Sequence, residues 1–354
     1  MHHSVIIFLS VISSMTKYKR KKLKIYHRIR TTYEAKRRTP AWKESKRMNK
    51  KGSKHKILQQ KKKFFDLVAP QNFSLLNNTD EMLLYFSKAR RMLKDGFNVN
   101  FNINDIEELT SDGISMLIAA INDSHFYGKS ICSGNAPRNP ILKNMFIKSG
   151  FYRYVNSKYK NESSDNDFIY RHQHVNGRVR VQGESAKYAC IKGTKHTFGH
   201  EGPCPFLFNI IAECMGNTNN HANVGKGEKC SWWLLAHPQE DSKNTCYTFL
   251  DMGVGIFDSL VVRGFKNKWK LLDNSLLVGD LLSGIIGSRL DKDNKVRGKG
   301  IPRMVRYSKL DTLNKFYIIT NNMKINLQTG IGQKLKSNFK GTLLHWEIQP
   351  KIIT

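Results

Sequence analysis

Positive charge is crowded so heavily into one end of this chain that only the remainder can build a core. Residues 1–63 hold 21 Lys and Arg against two acidic residues, Glu34 and Glu44, a local balance of +19 within a total of +31. The other 291 residues carry 38 basic and 26 acidic groups, a balance of +12. Runs such as Lys19–Lys22 and Lys61–Lys63 leave too little apolar surface to offset the entropy of ordering. Residues 1–63 are therefore expected to be a disordered basic arm. Such an arm attracts nucleic acid, acidic protein or an anionic membrane surface, or remains a solvated tail, and composition leaves these open.

One apolar stretch, Val5–Leu9 with Val11 and Ile12, is too short to span a bilayer. Its charges follow the apolar run, the reverse of a signal peptide. The first 47 residues read as an extension, with Met48 as an alternative start. The six cysteines, at 132, 190, 204, 214, 230 and 246, form no Cys-x-x-Cys pair. They read as free thiols of a cytoplasmic protein, with neither a disulfide framework nor a zinc site.

Beyond the arm the chain has the length for two α/β domains, expected at 64–160 and 168–354. Met82, Leu83, Phe86, Ala89 and Leu93 recur at helical spacing over 79–93. Residues 97–103 alternate apolar and polar as a half-buried strand does. An apolar helix over 114–121, a short strand over 129–132 and a helix over 140–147 complete a small α/β unit. The uniformly polar residues 156–167 read as a linker. In the second domain helices are expected at 205–221, 276–286 and 302–308, and strands at 231–236, 245–251, 316–320 and 342–348. Helices on one side of a mixed sheet would give a two-layer sandwich.

Four segments of the second domain carry chemistry. Glu213 and Asn217 are four residues apart, so a helix puts both on one face. Mg²⁺ takes one or two hard oxygen ligands from protein, and an Asn amide oxygen suits it. A carboxylate one turn earlier can serve as general base to an attacking water or hydroxyl. Asp251 ends an apolar strand, and its carboxylate, an acceptor when ionised, suits the exocyclic amine of adenine and not the carbonyl of guanine. Gly253 and Gly255 follow it and let the backbone approach a flat base. Gly298 and Gly300 precede Ile301-Pro302, which marks a helix start whose bare amides favour phosphate. Arg297, Lys299 and Arg303 add positive charge there. Gly341-Thr342 is expected to open the last strand. Residues between Gly255 and Gly298 are long enough to form a lid.

In order and spacing these segments resemble the nucleotide site of the GHKL superfamily, the gyrase, chaperone, histidine-kinase and mismatch-repair ATPases that share the Bergerat fold. The likeness covers about residues 168–350 and is nearest in style to the anti-sigma-factor serine kinases. It implies ATP and Mg²⁺ as ligands, Glu213 as catalytic base and Asn217 as the metal ligand. It implies Asp251 as adenine reader, Gly253, Gly255, Gly298 and Gly300 as cleft and lid glycines, and Thr342 as a contact on the adenine side. The basic group that some members carry after the Asn is here His221, which reads as a helix-end or core residue. A dozen residues follow Thr342, so the transducer domain of the topoisomerases, chaperones and mismatch-repair clamps is not expected.

The first domain resembles the STAS domain of anti-anti-sigma factors. Thr110-Ser-Asp-Gly113 stands where that family carries a loop with a phosphorylated serine, which aligns with Asp112. Asp112 reads either as a fixed mimic of the phosphorylated state or as an inert loop residue. His196, His200, Glu201 and Cys204 suggest metal ligands, but Gly199 and Gly202-Pro203 point to a loop instead. His172 and His174 read as surface residues. The chain is thus expected to be an Mg-ATP-binding regulatory protein that hydrolyses ATP or phosphorylates a protein Ser/Thr. The alternatives are a non-catalytic nucleotide-gated module tethered by its arm to nucleic acid or protein, and an accessory ATPase in DNA processing.

Overall fold

The computed structural model describes residues 64–122, 130–157, 168–171, 181–221, 232–262, 273–285 and 299–351. The arm, most of the 156–167 linker, His172 and His174 lie outside the described residues, as do Cys230, Arg297 and Gly298.

The first half begins on a strand that the sequence pattern did not reveal, β1 (Phe64–Val68), directly after Lys61–Lys63. It is followed by β2 (Asn72–Phe73) and helix α1 (Thr79–Lys94). All five periodic residues of α1 are buried, as the spacing predicted. Next come β3 (Asn98–Asn102), β4 (Glu108–Leu109), α2 (Ser111–Asn122), β5 (Cys132–Gly134) and α3 (Pro140–Lys148). Asn139 caps α3 by accepting from the amides of Ile141 and Leu142, with Pro140 in the first turn. Strands β1, β3 and β5 make a parallel sheet with β3 in the middle.

The second half runs β6 (Ile169–Arg171), α4 (Gly183–Phe198), α5 (Pro205–His221), β7 (Trp232–Pro238) and β8 (Thr245–Asp251). It continues with α6 (Ile256–Val262), α7 (Asn274–Ser283), α8 (Gly300–Tyr307), β9 (Leu313–Asn326) and β10 (Gly332–Ile348). The strands form one five-stranded sheet in the order β6-β7-β8-β10-β9. Every pairing in it is antiparallel, so the expected mixed sheet is corrected. Gly341-Thr342 does not open the last strand but lies inside β10, at a register shift between Phe339 and Thr342.

Alternation along the strands gives this sheet two apolar faces. Trp232, Tyr247, Phe249, Phe316 and Trp346 point to one, with Tyr247 and Trp346 stacked at 5.3 Å. Residues of α4, α5, α7 and α8 cover that face. Trp233, Leu235, Leu250, Ile319 and Leu343 point to the other and join the core of the first half. Burying each large side chain contributes about 2–3 kcal/mol. The two-layer expectation is corrected here, because both faces are covered. Helix α2 is buried almost all round since it packs between the two halves. Residues expected as two domains, 64–160 and 168–354, share this core within one compact unit.

Candidate nucleotide site

Helix α5 carries Glu213 and Asn217 on one face, and α8 starts beside them at Gly300. A Cβ on Gly300 would lie 2.7 Å from Glu213 Oε2 and 3.6 Å from Asn217 Nδ2, so the helix start comes close to both side chains. The first amides of α8 have no partner inside the helix and lie next to a carboxylate and an amide. One turn into α8, Arg303 Nη1 donates to Glu213 Oε1 in a partly exposed ion pair. Pro302 sits in the first turn, where its missing N–H costs nothing.

Asp251 ends β8 as predicted and is 5% exposed. Its neighbours across the sheet are Trp232 on β7 and Thr342 on β10, with Thr320 of β9 beyond Thr342. Thr218, next to Asn217 on α5, donates its hydroxyl to Asp251 Oδ2 at 3.0 Å. The Gly253 amide donates to Oδ1 at 2.9 Å, and the nearby Thr342 backbone also favours the charged form. Burial nevertheless pushes the Asp251 carboxyl up to about 6, because these donors are neutral and offset only part of the lost hydration. Cys214 lies fully buried between Glu213 and Asp251, and burial with those two charges holds its thiol well above its ordinary range.

The turn after Asp251 is set by a second polar group. Gly255 has φ +85, and a Cβ there would meet Asn321 Oδ1 at 2.5 Å. Asn321, itself at φ +50, accepts from the Phe257 amide at 3.0 Å and donates to the Val254 carbonyl at 3.0 Å. Thr320 Oγ1 accepts from the Ile256 amide at 2.9 Å and lies 3.5 Å from Thr342 Oγ1. Thr342, 7% exposed, thus spends its hydroxyl on the neighbouring strand.

Seven of the eight residues singled out from the sequence can be followed. Glu213, Asn217 and Gly300 meet at one spot. Asp251, Gly253 and Thr342 meet at the adjoining sheet end, and Thr218 joins the two groups. Gly255 packs on Asn321, and Gly298 lies outside the described residues. Sequence reasoning missed Thr218, Thr320 and Asn321. The first sits beside Asn217 and carries no periodic signal of its own, and the other two lie on a strand 70 residues from Asp251. His221 closes α5, but its side chain is outside the described residues.

Asp112 is 1% exposed and accepts from the Leu76 amide at 2.8 Å and Ser74 Oγ at 3.1 Å. It fixes the turn before α1 and offers no exposed charge as a phosphoserine mimic. Residues 199–204 form the expected loop, with Gly199 capping α4, while His196 lies in the last turn of that helix. His196 Nε2 lies 3.1 and 3.0 Å from the carbonyls of Gln239 and Ser242, while Glu201 pairs with Lys195. Cys132, Cys190, Cys204, Cys214 and Cys246 are free.

Comparison of the chain with protein-family models, with curated proteins and with solved structures returned no match. Among the described residues no helix is long and apolar enough to cross a membrane.

Proposed function

We propose that residues 168–350 bind ATP with Mg²⁺ between α5 and α8, at the Asp251 end of the five-stranded sheet. One observation carries this reading: Glu213 and Asn217 on α5, Gly300 at the α8 start and Asp251 at the end of β8 come together from three separated segments. The donor set suits the ligand. The hydrogen bonds from Thr218 and Gly253 leave acceptor capacity on the Asp251 carboxylate for an exocyclic amine. Asn217 supplies a hard oxygen for Mg²⁺, which when bound neutralises phosphate charge. The bare amides at the α8 start, with Lys299, favour the phosphates.

Glu213 is the candidate base, and the γ-phosphate acceptor is water or a protein Ser/Thr. A second reading, a non-catalytic nucleotide-gated module, is favoured by the Arg303–Glu213 ion pair, since a carboxylate held by a guanidinium is not free to take a proton. In either reading residues 1–63 act as a tether to nucleic acid or a protein partner, and the STAS-like half is the regulatory module.

Titration of the full chain with ATP, with and without Mg²⁺, followed by incubation with γ-labelled ATP, tests both. Saturable Mg²⁺-dependent binding, weakened by Asn217→Ala and weak for GTP, is expected. Loss of turnover with retained binding in Glu213→Ala supports catalysis, whereas binding without turnover in the wild type selects the gating reading. Absence of ATP binding overturns both. Deleting residues 1–63 should abolish any steeply salt-dependent DNA binding.

A further inference from the structure

The face of the sheet turned away from α5 and α8 carries a second polar cluster, independent of the nucleotide site. In the register of β8 and β10, Cys246 lies opposite Glu347, and Thr248 lies opposite His345. Because side chains alternate with period two, all four project from the same face. One donor atom each from Cys246, His345 and Glu347 lies within 4.8 Å of the others, and all three residues are buried. Cys246 Sγ is 3.4 Å from Glu347 Oε1, and His345 Nε2 is 3.8 Å from the same oxygen.

A tetrahedral zinc ion with bonds of about 2.3 Å to sulfur and about 2.0–2.1 Å to nitrogen and oxygen sets its ligand atoms roughly 3.3–3.6 Å apart. The cluster therefore stands close to the spacing one ion imposes. The imidazole is also oriented as a ligand needs. His345 Nδ1 lies 3.1 Å from Thr248 Oγ1, which lies 3.2 Å from Ser111 Oγ, so Nε2 is the nitrogen that faces the carboxylate and thiol. The carboxylate already draws a cation, since Lys315 Nζ donates to Glu347 Oε1 at 3.0 Å. The Lys315 side chain is 53% exposed, so its ammonium can leave into water without moving the core.

We propose that Cys246, His345 and Glu347 form a three-residue zinc site, with Thr248 as the positioning residue for the imidazole. Lys315 is the group that the ion displaces, and water takes the fourth corner. Zinc binding expels the Cys246 thiol proton to solvent and forms bonds from thiolate sulfur, imidazole nitrogen and carboxylate oxygen, with no change of oxidation state. Thiolate, imidazole and carboxylate together match zinc better than they match Mg²⁺ or Ca²⁺.

The test uses the full chain, stripped with chelator and titrated with zinc chloride, with metal content read after dialysis. Cobalt(II) serves as the spectroscopic probe. One high-affinity zinc per chain and a cobalt spectrum with a thiolate charge-transfer band are expected. Both should be lost in Cys246→Ser and His345→Gln, and Lys315→Met should bind zinc about tenfold more tightly because the competing ammonium is gone. If either ligand variant fails to fold, the wild-type cobalt band and the Lys315→Met affinity decide. A folded wild type without the thiolate band, or zinc held equally by Cys246→Ser, overturns the site. So does a Lys315→Met affinity that does not rise.

Discussion

Two carboxylates are buried on opposite faces of the same pair of strands, and their carboxyls are shifted in opposite directions. Glu347 faces the first half of the chain and Asp251 faces α5, and they are 3% and 5% exposed. Burial works to raise both. At Glu347 it loses, because Lys315 donates to the carboxylate and the His345 ring lies 3.8 Å from it, and together they hold it down at about 2. At Asp251 it wins, because a hydroxyl and two backbone groups are neutral donors, and the carboxyl rises to about 6. The partner's charge, not the depth, decides the outcome. An anion buried with its cation is a finished structural pair. One buried among neutral donors at the end of a sheet still gains from another donor, which is what the proposed purine-reading role would require.

The change that breaks this contrast most strongly is Asp251→Asn. The new amide can donate to Thr218 Oγ1, whose hydroxyl also reaches the Cys214 carbonyl at 3.2 Å, so the shape is kept. The proposed acceptor of the adenine amine becomes a donor, and under the proposed function ATP affinity should fall about a hundredfold. Stability should move the other way. The folded state keeps the Asp251 proton up to about 6, while the unfolded chain releases it near 3.8. The wild type therefore loses about 3 kcal/mol as pH rises from about 4 to about 6, and the variant does not. Urea unfolding at pH 3 and pH 7 checks this: the two proteins should match in acid, and the variant should be the more stable at neutrality. A variant less stable at pH 7 would mean that Asp251 is not carrying an uncompensated charge.

Glu347→Gln sharpens the other side, measured in chelator so that no metal contributes. The carboxyl sits at about 2 in the folded chain against an ordinary 4.5, so its contribution is present above 4.5 and lost as pH falls to about 2. The shift corresponds to about 3 kcal/mol, and solvent reaching the half-exposed Lys315 reduces this to about 2 kcal/mol at pH 7. Urea unfolding should show that loss at pH 7 and little of it near pH 2. Equal stability at pH 7 would reduce the pair to a surface contact.

The same contrast explains what could be read from the sequence. Groups within one element were legible: the α1 stripe, the Thr245–Asp251 strand with its terminal carboxylate, and the Glu213/Asn217 face of α5 all follow from period and spacing. Groups assembled across strands were not. Cys246 is 99 and 101 residues from His345 and Glu347, and a cysteine pattern read for Cys-x-x-Cys spacing cannot detect a cluster created by β8–β10 register. The second covered face was missed for a related reason. Strand β1 is mostly exposed and short, and α2 is apolar on every side, so neither sequence announces which partner it packs on. The Asp112 loop was identifiable, but its burial against Ser74 and Leu76 depends on a turn 36 residues away.

The smallest expected effect tests the link between the two parts of the proposed nucleotide site. Thr218→Val keeps the volume and removes the hydroxyl that joins α5 to Asp251, while the Gly253 amide remains in place. Losing a donor to the charged form raises the carboxyl further above 6, and the ionised protein loses about 1 kcal/mol at pH 7 and less at pH 3. Under the proposed function ATP affinity should drop only a few-fold, because the proposed purine acceptor survives and only its alignment to Asn217 is loosened. Carboxyl NMR titration beside an ATP titration reads both quantities. If the Asp251 titration moves and ATP affinity does not, the hydroxyl holds the charge without linking it to the metal ligand, and the two parts of the cleft act separately.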